Sequence, residues 1–74
     1  MGDEAEVAAV RVAPGSYRLQ AGRICVGLVF VVDGDRYEVT GQPAPIGSDR
    51  YMAVVRRPDG GRLTAQLEAA GRST

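Results

Sequence analysis

The chain has no histidine, lysine or tryptophan, and its one cysteine is Cys25. Without histidine and lysine, the commonest general bases and the amine nucleophile are missing. A single cysteine forms no internal disulfide and, with no histidine, builds no zinc site. The longest apolar run, "ICVGLVFVV", is too short to span a bilayer as a helix. The acidic start "MGDEAEVAAV" lacks the positive n-region of a signal peptide. These absences predict a cytoplasmic, non-enzymatic chain with no cofactor, no metal and no membrane partner. Seventy-four residues bury only a small core. With disulfide and metal staples excluded, oligomerisation is the remaining source of extra stability.

Strong charge of either sign is also missing. Nine arginines balance nine acids, giving a formal net charge of zero. Asp3, Glu4 and Glu6 crowd the N-terminus, so the remainder carries nine arginines against six acids. That excess is far below the basic footprint of a dedicated nucleic-acid binder. Residues 1–6 read as an acidic flexible N-terminus, 7–70 as one small domain and 71–74 as a flexible C-terminus.

What is present is strand chemistry. Ile24–Val32 is rich in the β-branched and aromatic residues that favour strands. Asp33-Gly34 follows as a hairpin turn, and Arg36–Thr40 alternates polar with apolar. A two-residue turn pairs Phe30 with Tyr37 and Leu28 with Val39; a three-residue turn with a glycine bulge shifts the pairing by one. "TGQPAPIGSD" reads as a loop because Pro43 and Pro45 lack amide donors. Tyr51–Arg56, the turn Pro58–Gly61 and the alternating arm from Leu63 make a second hairpin. Both ends are ambiguous. Residues 4–13 read as a strand leading to the Pro14-Gly15 turn, or as a short helix capped by Asp3 and Glu6. Residues 62–70 read as a strand, or as a helix ending at Gly71. About five strands result, in a strongly bent antiparallel sheet or partly open barrel. This mainly β architecture resembles SH3-like and OB-like domains, without any family signature.

Few residues suggest chemistry. Cys25 sits among apolar neighbours and reads as a small buried core residue. Asp33 and Asp35 flank a turn glycine but lack the further oxygens of a calcium loop. Gly60-Gly61 beside Arg57 and Arg62 reads as a turn, since no P-loop surrounds it.

Two features point to binding. The tripeptide Asp-Arg-Tyr occurs twice, at 35–37 and 49–51, and Tyr17 adjoins Arg18. Tyrosine stacking on bases with arginine on phosphate would make a single-strand-binding surface. Adjacent strand residues point to opposite faces, however, so Tyr37 and Tyr51 are expected to face the core and Arg36 and Arg50 the solvent. The second feature is the run 24–32, apolar on both faces of an expected strand. Leaving Val29 and Val31 uncovered would forfeit roughly 3–6 kcal/mol, at about 1.5–3 kcal/mol per buried side chain. The leading expectation is therefore a homo-oligomer or protein-binding module using Val29 and Val31, with Tyr17, Tyr37 and Tyr51 on the rim. The alternative is a nucleic-acid-binding barrel using Arg18, Arg23, Arg36, Arg50, Arg56, Arg57 and Arg62.

Overall fold

A computed structural model describes residues 6–70 as seven β-strands. They are β1 (Glu6–Ala13), β2 (Ser16–Leu19), β3 (Val29–Val32), β4 (Asp35–Val39), β5 (Ala44–Gly47), β6 (Arg50–Arg56) and β7 (Arg62–Ala69). The order around the sheet is β4-β3-β1-β2-β7-β6-β5, and β4 also pairs with β6. That last pairing closes β4-β3-β1-β2-β7-β6 into a six-stranded barrel and leaves β5 as an extra strand on β6. The expected five-stranded, partly open sheet is thus corrected to a closed barrel of six strands plus one. Both ambiguous ends are strands, and no helix occurs among the described residues, so none is long and apolar enough to cross a membrane. Glu6 opens β1; the other expected flexible positions, 1–5 and 71–74, lie outside the described residues.

The wholly antiparallel expectation also needs correcting. β1 runs parallel to β3, with Ala8 beside Val31, and β2 runs parallel to β7, with Tyr17 beside Leu67. A parallel pair cannot be joined by a tight turn. The chain therefore leaves β2 and travels through residues 20–28 to reach the far side of β1. In this connection Ile24 is buried and joins the core. The expected long strand 24–32 is correspondingly shortened to Val29–Val32. Gly27 at φ +94° and the bond from Leu28 N–H to the Cys25 carbonyl (3.2 Å) make a turn there. Cys25, expected in the core, is exposed, because Ile24 takes the inward position beside it.

The turns follow local chemistry. Asp33 (φ +51°) and Gly34 (φ +85°) form the two-residue β3–β4 link, and positive φ at both centres is the type I′ signature. The register is that of the two-residue turn, with Phe30 opposite Tyr37; Val39 N–H then donates to the Leu28 carbonyl at 2.9 Å. In the Pro14-Gly15 turn, proline presets the first position and Gly15 takes φ +75°. A bulge at Val12 precedes it, between Arg11 and Ala13.

The barrel interior is filled by alternate strand residues. Leu19, Phe30, Val39, Val55 and Leu67 are fully buried, and Ala53, Ala65 and Ala69 supply small partners. Small residues beside large ones suit a narrow barrel, whose width leaves room only for side chains. Tyr17, Phe30 and Tyr37 form an aromatic cluster. Phe30 stacks on Tyr37 with centroids 5.3 Å apart and planes 8° apart, and Tyr17 lies 5.5 Å from each.

Candidate functional site

Strand alternation separates tyrosine from arginine at all three places. Tyr17 is buried and Arg18 exposed; Tyr37 is half-buried and Arg36 exposed; Tyr51 is half-buried and Arg50 exposed. Tyr17 and Tyr37 meet within the aromatic cluster, whereas Tyr51 stands apart, opposite Pro45 and Leu67. The Tyr37 hydroxyl is held above its ordinary pKa of 10.0. Burial is the largest cause, followed by the proximity of Tyr17 and a hydrogen bond to it, then Asp35; Arg11 opposes these.

The outward arginines alternate with acids. Arg18 bridges Glu68 at 3.4 Å, Arg56 bridges Glu38 at 3.8 Å, Arg57 bridges Asp59 at 3.3 Å, and Arg36 pairs with Glu6. Asp59 also accepts the Gly61 N–H at 2.8 Å, which is the main reason its carboxyl sits below its ordinary pKa, with Arg57 adding to the effect. All four pairs are solvent-exposed, so each contributes little stability. Their effect is to break up the arginine set. Arg36, Arg56 and Arg57 share a cleft of about 240 Å³ with Val29 and Pro58, but Glu38 lines it too. Arg62 lies beside Arg56, while Arg18 and Arg50 flank Glu68 on another part of the barrel, and Arg23 lies in the 20–28 connection.

Val29 and Val31 do share one outward face, both half-buried. Their cross-strand neighbours are Glu6 and Glu38 for Val29, and Ala8 and Arg36 for Val31. This face is therefore a narrow apolar seam between charges.

A broader uncharged surface lies elsewhere. Along β6, Tyr51, Ala53 and Val55 point inward, so Met52 and Val54 point out. Met52 stands opposite Gln66 on β7 and Ala44 on β5, and Val54 stands opposite Thr64. Gly41 closes on Val54 from the β4–β5 loop; a Cβ there would meet the Val54 Cβ at 3.2 Å. These two uncharged rows lie between the charged rows Arg50–Glu68 and Arg56–Arg62. They continue into residues 40–48, which carry no charge, and Ile46 there is 46% exposed. Sequence reading missed this surface. Its only signal was the uncharged run 40–48; the outward β6 and β7 positions become neighbours only once the register is known.

A second cleft, about 200 Å³, lies beside the β1–β2 tip, where Val12, Ala13 and Ser16 face Gln66, Glu68 and Arg50. Among the described residues, no three of the Cys, Asp and Glu side chains cluster as metal ligands would.

Fold and surface together define a small closed β-barrel with two parallel seams and one uncharged outer face. Compared with protein-family models, with curated proteins and with solved structures, the chain matches none of them.

Proposed function

We propose that this barrel is a non-enzymatic binding module that works by protein–protein association, in the simplest case with a second copy of itself. The observation that carries this reading is the uncharged outer face built from Ala44, Met52, Val54, Thr64 and Gln66, with Ile46 at its margin. Interface cores are depleted in charge, and these two rows carry none although the rows on either side, Arg50–Glu68 and Arg56–Arg62, are charged. A small core supports the same reading, because association would add buried apolar area. Nucleic-acid binding is the weaker reading. Acids interrupt the arginines, so among the described residues no continuous basic stripe is available to track a phosphate backbone.

Sedimentation equilibrium at micromolar concentration tests the proposal. The expected result is an oligomer for the parent chain and a folded monomer for Val54→Glu and Met52→Glu. A strictly monomeric parent rejects self-association. Dissociation by Val29→Glu but not by Val54→Glu would move the interface to the β3 face. A mass increase with added single-stranded DNA, reversed by salt, would favour the nucleic-acid reading instead.

A further inference from the structure

Two stretches of strand have a side that no other strand covers among the described residues. One is β5, which pairs with β6 alone. The other is β1 beyond Ala8, where its register with β3 ends. Such edges present unpaired N–H and C=O groups to an incoming strand, and proteins ordinarily guard them with charge, a bulge or proline. On β1 the guard is the Val12 bulge. On β5 charge is missing, since residues 40–48 carry none, and Ile46 there is 46% exposed. The hydrogen-bond phase shows what takes its place. The Val54 carbonyl accepts from Thr40 N–H (3.0 Å) and Gly41 N–H (3.2 Å), so it points away from β7. Backbone groups alternate sides along a strand, so those of Met52 point the same way, toward its partner Ala44. Ala44 therefore turns its backbone groups to β6, and Pro45 turns its own to the free side. The position that would offer a donor to a newcomer is held by the one residue type without an amide hydrogen. Directly after it, the bulge at Ile46 shifts the register.

We propose that Pro45, with the Ile46 bulge, is an edge guard that closes β5 to strand addition by a second copy of this chain. Without it, an uncharged and accessible strand would pair antiparallel with the β5 of another copy about a two-fold axis. The pyrrolidine ring occupies the place of the amide hydrogen, so an incoming carbonyl meets carbon where it needs a donor. The ring shares the face of Tyr51, its cross-strand partner, and not the uncharged outer face. The inference therefore holds whether or not that outer face self-associates.

The test restores the missing donor in the full chain. Pro45→Thr should raise the mass in sedimentation equilibrium about twofold over the parent at equal concentration, as one β5 takes up another. The amide that this substitution introduces should exchange slowly with deuterium, because an incoming strand covers it. An unchanged mass, or a fast-exchanging amide at position 45, overturns the proposal. Pro43→Thr, in the loop before β5, removes an equally rigid residue without opening the edge and should leave the mass unchanged. An equal rise with Pro43→Thr overturns the proposal. The double variant Pro45→Thr/Ile46→Lys adds the charge that edges ordinarily carry and should return to the parent's mass. Aggregation that survives the added charge comes from a misfolded chain and counts against the guard. Pro45→Thr/Val54→Glu should keep the extra association. Its loss would assign the effect to the uncharged face, overturning this inference while leaving the function proposed above intact.

Discussion

The same tripeptide, Asp-Arg-Tyr, occurs in two settings. At 35–37 the aspartate lies just beyond a type I′ turn, the arginine pairs with Glu6, and the tyrosine stacks on Phe30 inside the aromatic cluster. At 49–51 the aspartate lies within the turn at φ +59°, the arginine borders a cleft, and the tyrosine has no ring beside it. Alternation alone accounts for what they share, inward tyrosine and outward arginine. Everything else is set by where the tripeptide starts relative to a two-residue turn, just after 33–34 in one case and inside 48–49 in the other, and by the strand that happens to lie opposite. Identical local sequence therefore provides a core anchor in one hairpin and a surface feature in the other.

The comparison breaks most visibly at the tyrosines. Tyr37→Ala should cost about 3 kcal/mol, the low end for deleting a packed ring, because it dismantles a three-ring cluster. Tyr51→Ala should cost less, about 1–2 kcal/mol, with only aliphatic neighbours lost. Urea denaturation of both variants measures the difference, and equal losses would contradict the assigned roles. A smaller contrast lies at the aspartates. Asp35→Gly should cost about 0.5–1 kcal/mol, since glycine weakens a strand position. Asp49→Gly should cost less than Asp35→Gly, because glycine accepts φ +59° without strain. The same denaturation series reads both. The smallest effect is the alkaline response of Tyr37. A raised pKa means that the fold favours the neutral phenol. Its contribution is fully present below pH 10 and is lost as pH rises through the raised value. Thermal unfolding at rising alkaline pH should therefore show a steeper loss for the parent chain than for Tyr37→Phe.

The hairpins were legible in the sequence because their signals are local. Asp33-Gly34, Pro14-Gly15 and Pro58–Gly61 each carry the residue that their backbone requires, and period-two alternation separated Tyr37 and Tyr51 from their neighbouring arginines as expected, whereas Tyr17, expected on a rim, is buried. The mainly β class was legible for the same reason. Barrel closure was not. It rests on the β4–β6 pairing of Glu38 with Arg56 and Val39 with Val55, which no local pattern encodes. The run "ICVGLVFVV" misled because composition alone does not show that Gly27 takes a left-handed turn and that Ile24 alone of residues 24–27 is buried. β5 was read as loop because its proline suggested a break, whereas a strand with one free side tolerates Pro45. The candidate surfaces were the least legible part. Both the uncharged face and the cleft at the hairpin tip join residues distant along the chain.

The parallel seam between β2 and β7 also governs how quickly the molecule can form. Arg18 and Glu68, which face each other across it, are fifty residues apart in the chain. Contacts of such range are slow to form, since a large loop must close before they contribute. In a chain emerging vectorially, the first two hairpins can pair early, but β2 stays an open edge until the segment ending at Ala69 arrives. During that interval Tyr17 and Leu19 lack their β7 neighbours Leu67 and Ala69, so the delay before β7 docks is the period of greatest exposure to misassembly.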